Sequence, residues 1–162
     1  MDYSLSLAKI EDIDEIMTLY QSVIKTTFTT WDDNYPSQEL LKEDISKNSL
    51  YVLKLHNEIV AVSFFGTKDN DDERWLFPLS KPMSVARICV SPNHQGKGIG
   101  TTFMKNLVDL AKIQGADGMH FHVCTKNPSA IKMYEKAGFK NTGLGKSNYG
   151  FDFYKYEQIF EK

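Results

Sequence analysis

The sequence predicts a single α/β domain (α+β in some schemes) that has a mixed β-sheet with helices on both of its faces. Leu50–Leu55 and Ile59–Phe65 are β-rich runs separated by three residues, a pattern that is typical of an antiparallel hairpin. Between Val85 and Val123 the chain has a strand, a helix and a strand, which predicts two parallel neighbouring strands. The length of 162 residues suits one domain over residues 1–162, and no repeat or linker divides it.

The first half of the chain contains a strand and two helices ahead of that hairpin. Polar and apolar residues alternate over Ser4–Leu7 and predict a short strand. Apolar residues at helical spacing predict an amphipathic helix from Ile13 to Ile24. Residues 26–36 have no helical period and are expected to form a loop, after which Ser37 begins a shorter helix that ends near Ile45.

Strands and helices alternate in the second half of the chain. The predicted elements are a strand at Val85–Val90 that Pro92 ends, a helix at Ile99–Gln114, a strand at Met119–Thr125, a helix between Asn127 and Gly138, and a strand at Phe151–Tyr156, with a further strand near Lys140–Leu144 left open. Asn127 suits the N-cap of its helix, Pro128 the first helical position, and Gly138 the left-handed position that follows a helix.

Composition and charge exclude several classes of protein. With 19 basic and 21 acidic side chains the net charge is −2, whereas a protein that binds nucleic acid usually has a basic face. No apolar stretch reaches the roughly 18 residues of a membrane span, and Met1–Ile10 lacks the pattern of a signal peptide. The cysteines, Cys89 and Cys124, lie in apolar runs where buried reduced thiols are usual. We therefore expect a cytoplasmic protein that binds neither nucleic acid nor membrane.

The most informative motif is the turn Gln95–Gly100, which joins a predicted strand to the start of a long helix. Such a turn presents successive backbone N–H groups to an anion, the helix dipole adds partial positive charge, and Lys97 adds a formal charge. The alternative is a helix start that needs only flexible residues. The glycine spacing matches neither the P-loop pattern nor the dinucleotide-binding fingerprint.

Two motifs relate this turn to a known family. Residues 95–100 match Q-x-x-G-x-G, and residues 127–139 match N-x-x-A-x-x-x-Y-x-x-x-G-F. In these motifs, and in their order, the chain resembles the GNAT superfamily of acyl-CoA-dependent N-acetyltransferases. The resemblance covers the order of elements along the whole chain and is specific from about Val85 to Phe139. It implies a GNAT-like, mostly antiparallel sheet whose central parallel strands splay apart.

The resemblance implies an acetyl-CoA site that contains no metal. The pyrophosphate is implied to bind the backbone amides of the turn, which consists of Gln95, Gly96, Lys97, Gly98, Ile99 and Gly100. Ile88, Cys89 and Val90 match the strand that binds the pantetheine arm through its main chain, and this strand often carries a bulge in the family. Asn127 matches a side-chain contact to pantetheine, with a plain N-cap as the alternative.

The resemblance also implies a catalytic role for Tyr134, which matches the general acid that protonates the departing thiolate; a core aromatic is the alternative. Tyr134 lies seven residues after Asn127, so both share one helix face. No residue is identified as the base, which could be His122, an acidic residue or water. His120, His122 and Cys124 alternate on one strand face, where a metal site lacks further ligands and ordinary sheet packing is also open.

The implied activity is transfer of an acetyl group from acetyl-CoA to a primary amine of a small molecule or peptide, by direct attack in a ternary complex. The acceptor pocket of the family matches residues 26–36 and 146–151, which suit a cationic amine or form only a solvated loop. Arg87 pairs either with a substrate carboxylate or with an internal acid. The alternative function is an acyl-CoA sensor without turnover, and a homodimer is left open.

Overall fold

The computed structural model describes residues 2–26, 31–67, 73–94, 96–145 and 150–161. The strands are β1 (Tyr3–Leu7), β2 (Leu50–Leu55), β3 (Glu58–Gly66), β4 (Pro82–Val90), β5 (Gly118–Cys124), β6 (Lys140–Leu144) and β7 (Phe153–Ile159). The α-helices are α1 (Ile13–Thr26), α2 (Gln38–Ser46), α3 (Ile99–Ile113) and α4 (Pro128–Lys136). The order of elements predicted from the sequence is confirmed, including the strand near Lys140 that was left open.

The strands follow the order β1-β2-β3-β4-β5-β7-β6. Strands β4 and β5 are parallel, with Pro82 opposite Gly118 and Met83 opposite Met119, whereas the β1–β2, β2–β3, β5–β7 and β6–β7 pairs are antiparallel. The predicted fold class, a mixed and mostly antiparallel sheet with a parallel central pair, is therefore confirmed.

Strands β4 and β7 begin two or three residues away from the positions that the sequence predicts. Strand β4 begins at Pro82 instead of Val85, and Pro82 is tolerated because the first residue of a strand can lack an amide donor. Strand β7 begins at Phe153 instead of Phe151, since its pairing with β5 starts where Phe153 lies opposite Cys124. Both boundaries depend on partner strands that are distant in sequence.

The chain divides into two compact units, and both β4 and α3 contribute residues to each of them. The first unit consists of Met1–Phe65 and Arg87–Phe103. Its apolar core contains one face of α1, one residue of α2, residues of β2, β3 and β4, and Ala8 just after β1. These residues are Ala8, Ile13, Ile16, Leu19, Tyr20, Val23, Leu41, Leu50, Val52, Ile59, Val62 and Cys89. The β2–β3 hairpin is closed by His56 and Asn57, both with positive φ, as tight hairpin turns require.

The second unit consists of Gly66–Ala86 and Met104–Lys162. Aromatic rings pack between α4 and the strands β5 and β7, where Phe121, Tyr134, Phe139 and Tyr156 lie with ring centroids 4.6–6.4 Å apart. Edge and tilted ring pairs of this kind add to the stability that buried apolar area provides. This cluster fixes α4 on the sheet and with it the position of Tyr134.

A buried carboxylate attaches the segment before β4 to strand β7 within the second unit. Glu157 is fully buried and accepts hydrogen bonds from the backbone N–H groups of Leu76 and Phe77, both at 2.9 Å. The hydroxyl of Thr142 donates to the same carboxylate. Because each acceptor oxygen has a donor, the cost of burying this charge is offset by hydrogen bonds.

Candidate functional site

The turn before α3 has the backbone that the motif predicts. Gly96 and Gly98 have φ of 83° and 76°, a region that glycine enters without steric cost. A Cβ built on either glycine meets no heavy atom of the described chain within 4 Å, so the space beside the turn is open. Lys97 is exposed, whereas Ile99 is buried and anchors the first turn of the helix. Gln95 lies outside the described residues.

Helix α3 therefore begins directly beside an exposed, left-handed backbone segment. The carbonyl of Gly98 accepts the N–H of Thr102 at 3.0 Å, which is ordinary helical bonding. The first amides of a helix have no partner within the helix and carry partial positive charge. An anion that approaches this turn therefore meets both backbone donors and the positive end of the helix dipole.

The three strand residues ahead of the turn differ in burial. Cys89 is buried, and its Sγ lies 3.9 Å from the carbonyl oxygen of Leu19, while Ile88 and Val90 are partly exposed. Burial raises the pKa of the Cys89 thiol far above its usual range, so it stays protonated and is a poor nucleophile. The main chain of this strand is the part suited to bind a ligand, as the resemblance implies.

Arg87, just before these residues, is paired within the protein. Its Nη2 donates to Asp44 Oδ2 at 2.6 Å and its Nη1 to the hydroxyl of Tyr35 at 3.4 Å, and the guanidinium carbon lies 5.5 Å from the ring centre of Phe64. The Tyr20 hydroxyl donates to the backbone carbonyl of Arg87 at 2.6 Å. Of the two options left open by the sequence, the internal acid is the one observed.

Asp44 was not singled out by the sequence, because it is one of several carboxylates on a short helix. Burial raises the pKa of its carboxyl, and the neighbouring Arg87 guanidinium opposes that shift. Tyr20 lies within the helix predicted from Ile13 to Ile24, where its spacing marks it only as one of the apolar positions. A buried tyrosine usually finds a partner for its hydroxyl, so its position on the buried face was the available hint.

In the second unit, Asn127 is the N-cap of α4. Its Oδ1 accepts the N–H of Ala130 at 3.2 Å, and Pro128 occupies the first helical turn as predicted. The cap uses the amide oxygen, while the NH₂ group of the same side chain has two further donors. Capping and a contact to a ligand are therefore compatible roles for Asn127.

Tyr134 is buried, and its ring lies 4.6 Å from Phe121 and 6.0 Å from Tyr156, centre to centre. Burial raises the pKa of its phenol well above the usual value, so the group keeps its proton at any working pH. This environment has two consequences. The ring packs in the core, in agreement with the alternative that Tyr134 is a core aromatic residue. The hydroxyl remains a potential proton donor.

The opposite face of β5 carries the two histidines. His120 stacks on Trp75 with ring centres 4.0 Å apart and planes at 10°, and His122 lies 5.0 Å from the same indole. Nε2 of His122 is 3.7 Å from Glu73 Oε2, and Lys155 Nζ is 4.0 Å from the other oxygen of Glu73. Sequence reasoning identified the histidines but missed Glu73 and Trp75, which lie more than forty residues earlier.

Each unit holds a part of the predicted set of site residues. The first contains the strand and the turn from Ile88 to Gly100, and the second contains Asn127 and Tyr134. Of the segments expected to bind the acceptor, 27–30 and 146–149 lie outside the described residues. Trp31 packs its ring edge-on against Tyr20, with centres 5.0 Å apart, and so contributes to the core of the first unit.

The model of the acetyltransferase (GNAT) family matches residues 14–139, which include both motifs. The chain belongs to this family. The matched range contains the glycine turn at residues 95–100 and the segment 127–139, the two motifs on which the sequence resemblance depended. In the described parts of this GNAT chain, no helix has the length and apolar character needed to cross a membrane.

Two curated relatives match shorter segments. Streptothricin acetyltransferase of Streptomyces lavendulae is 36% identical over 67 residues, which are 41% of this chain and 35% of that protein. Spermidine N(1)-acetyltransferase of Vibrio cholerae is 34% identical over 58 residues, or 35% of this chain and 34% of that protein. The chain thus matches about a third of the length of these relatives.

Solved structures match the chain over almost all its length. A GNAT-family acetyltransferase from Streptococcus agalactiae has a TM-score of 0.82 at 22% identity and covers 99% of this chain and 96% of its own. The yncA protein from Salmonella typhimurium, solved with its cofactor acetyl-CoA, has a TM-score of 0.77 at 18% identity, covering 100% and 96%. These likenesses show that this chain has the GNAT fold.

Proposed function

We propose that this GNAT chain transfers an acetyl group from acetyl-CoA to a primary amine of a small molecule or peptide. The observation that carries the proposal is the turn before α3, where left-handed Gly96 and Gly98 expose the backbone beside a helix N-terminus. Such a turn suits the diphosphate of acetyl-CoA, because the turn offers several N–H donors and partial positive charge, and the diphosphate is an anion that needs both. The amine attacks the thioester directly, in a ternary complex.

The cofactor is held mainly by main-chain groups in this proposal. Residues 95–100 bind the pyrophosphate, with Lys97 adding a charge, and the strand residues Ile88–Val90 bind the pantetheine arm. One N–H of this strand polarises the thioester carbonyl as negative charge develops on its oxygen. The NH₂ group of Asn127 donates to a pantetheine carbonyl while its Oδ1 caps α4. No metal is required, because the carbonyl is activated by hydrogen bonding.

Tyr134 is the general acid of the proposed reaction. When the tetrahedral intermediate collapses, the C–S bond breaks and the sulfur of coenzyme A must gain a proton. Burial raises the pKa of the Tyr134 phenol and keeps it protonated, so the hydroxyl still has a proton to donate when negative charge develops on the departing sulfur. The surrounding rings hold the side chain in place.

His122 is the candidate base on the other face of β5. Tyr134 packs against Phe121, whereas His122 lies beside Trp75 and Glu73, because neighbouring residues of a strand point to opposite faces. An acid and a base on opposite faces suit a reaction in which the amine enters from one side and the thiol leaves on the other. Glu73, 3.7 Å from Nε2, stabilises the imidazolium that forms when His122 takes the proton of the amine.

The test is a titration followed by a screen. Isothermal titration of the chain with acetyl-CoA, with ATP as the control nucleotide, should give binding of acetyl-CoA alone. Release of free coenzyme A is then measured with small amines, polyamines and peptide N-termini. The relatives named for streptothricin and spermidine favour starting with small amines. Failure to bind acetyl-CoA would refute the proposal.

The second candidate function is an acyl-CoA sensor, which binds acyl-CoA without catalysing acetyl transfer. Its support is the full burial of Tyr134 among aromatic rings, which equally suits a packing role. The screen separates the two functions, because a sensor binds acetyl-CoA with every amine present and releases no thiol.

A further inference from the structure

Strand β4 contains a backbone conformation that strands normally exclude. Arg87 is the sixth of its nine residues and has φ of 54°, in the left-handed region. For a residue with a side chain this region brings Cβ close to a carbonyl oxygen, so it persists only where the surroundings hold it. The alternation of burial is also interrupted, since Ser84 and Val85 are both buried and the next three residues are partly exposed.

Two side chains from different helices hold this residue at two separate points. Tyr20 of α1 donates its hydroxyl proton to the backbone carbonyl of Arg87 at 2.6 Å. Asp44 of α2 accepts a hydrogen bond from the guanidinium at 2.6 Å. One contact fixes the main chain and the other fixes the side chain, so rotation about the backbone of Arg87 would break both.

The two holding groups are themselves fixed by burial. Tyr20 is 1% exposed, and the edge-on contact with Trp31 fixes its ring. Asp44 is 6% exposed, and the Phe64 ring lies beside the guanidinium that pairs with it. Both groups are therefore largely shielded from bulk water, which strengthens their hydrogen bonds to Arg87.

We infer that Tyr20 and Asp44 are positioning residues, which hold the left-handed turn at Arg87 and thereby direct the main chain of Ile88–Val90 toward acetyl-CoA. The inference rests on the proposed function, which assigns those three residues to the cofactor. A single left-handed residue changes the direction in which the following N–H and C=O groups point. The groups that follow Arg87 are the ones proposed to bind pantetheine and polarise the thioester.

The choice of arginine explains how the turn stays rigid. Glycine would adopt φ of 54° without cost but would also adopt many other conformations. Arginine disfavours the left-handed state, yet its carbonyl and its side chain both have a buried partner that favours it. The strand therefore has one conformation before the cofactor binds. Its affinity for acetyl-CoA is not reduced by a competing backbone conformation that cannot bind.

The first experiment compares two tyrosine hydroxyls. Tyr20→Phe removes the donor to the Arg87 carbonyl and leaves the ring packing intact. The matched control is Tyr51→Phe, in strand β2 of the same unit, whose ring packs edge-on against Phe65. We expect the Kd for acetyl-CoA to rise roughly fivefold in Tyr20→Phe, because the left-handed state becomes less populated, and to stay unchanged in the control.

The second experiment tests the backbone conformation itself, in an Asp44→Asn background that leaves no unpaired buried charge. Arg87→Gly and Arg87→Ala both remove the guanidinium, but only glycine accepts the left-handed region freely. We expect the alanine variant to bind acetyl-CoA roughly fivefold more weakly than the glycine variant. With a confirmed acceptor, the KM for acetyl-CoA should rise in the alanine variant while kcat at saturation is less affected. A merely structural role for Arg87 would not separate alanine from glycine in this way.

Two results would overturn the inference while the proposed function stands. One is equal acetyl-CoA affinity of the alanine and glycine variants when the unsubstituted chain binds well. The other is an unchanged Kd in Tyr20→Phe. If the unsubstituted chain binds no acetyl-CoA, both the proposed function and this inference fail. Circular dichroism and thermal unfolding of each variant confirm that the compared proteins are folded.

Discussion

The β4–α3 and β5–α4 segments have the same local plan, a strand followed by a turn and a helix, but they begin their helices differently. Helix α4 is capped by its own side chain, since Asn127 Oδ1 accepts the N–H of Ala130 and Pro128 occupies the first turn. Helix α3 is entered through Gly96 and Gly98, whose left-handed backbone faces open space. The two helices thus differ in which groups accept hydrogen bonds from the N–H groups of their first turn.

This comparison shows how one supersecondary plan serves two purposes. A helix start closed by an asparagine and a proline is locally complete and needs no ligand. A helix start entered through glycines leaves backbone donors for an anion to satisfy. In the proposed function the first segment accordingly binds the phosphates, and the second provides a side-chain contact and the proton donor. Substitutions in each segment test these roles one at a time.

The largest effect is expected at the glycine turn. Gly98→Asp places a negative charge beside the proposed pyrophosphate position and should raise the Kd for acetyl-CoA by roughly a hundredfold, because like charges in contact cost several kcal/mol. Gly98→Asn is the matched control, since asparagine has the same shape and also tolerates positive φ. Isothermal titration of both variants measures the difference. Similar affinities of the aspartate and asparagine variants for acetyl-CoA would show that the pyrophosphate does not bind at this turn.

Tyr134→Phe tests the proton donor of the second segment. The ring and its packing on Phe121 remain, so acetyl-CoA affinity should hold, while kcat should fall by roughly tenfold or more. Tyr154→Phe, a partly exposed tyrosine on β7, serves as the control for loss of a hydroxyl. Steady-state thiol release with a confirmed amine is the measurement. Full kcat under conditions where chemistry limits the rate would reduce Tyr134 to a packing residue.

The two histidines of β5 provide an internal control for the base. His122→Gln should lower kcat by roughly tenfold, because it removes the group that takes the amine proton beside Glu73. His120→Gln removes a similar ring from the same strand face, where it stacks on Trp75, and should leave kcat near its original value. The pair is compared by thiol release at saturating acetyl-CoA. Equal losses would indicate that both histidines act only through packing.

The smallest effect separates the two roles of Asn127. Serine also caps helices well, so Asn127→Ser should keep the free energy of unfolding within a few tenths of a kcal/mol. It removes the NH₂ donor, so the Kd for acetyl-CoA should rise by about fivefold, as expected for one hydrogen bond. Asn127→Ala should also destabilise the fold by about 1 kcal/mol. Unchanged affinity in the serine variant would leave Asn127 with its cap alone.

The elements predicted correctly from the sequence are those whose cause is local. Asn127 and Gly138 mark the ends of α4, and the N-cap bond and the φ of 93° at Gly138 are as predicted. The hairpin turn follows from residues between two β-rich runs. In each case the residues that determine the conformation lie within a few positions of it, so their pattern is visible in the sequence.

The features that sequence reasoning missed depend on partners distant along the chain. The turn at Arg87 is held by Tyr20, 67 residues earlier, and by Asp44, 43 residues earlier. Glu73 approaches His122 across the unit in the same way. A left-handed arginine has no local motif, because its cause is tertiary. Anion binding at the turn was predicted from its residues, whereas the pyrophosphate of acetyl-CoA as its ligand and the acid role of Tyr134 came from the family resemblance.

The buried carboxylate of Glu157 has a consequence for the timescale on which the segment before β4 opens. Leu76 and Phe77 lie outside any helix or strand, yet their amide protons are bound by Glu157 in the interior. Hydrogen exchange at these two amides should therefore be as slow as in the neighbouring strands, because exchange requires the carboxylate to be uncovered. By this measure the segment belongs to the same cooperative unit as β7.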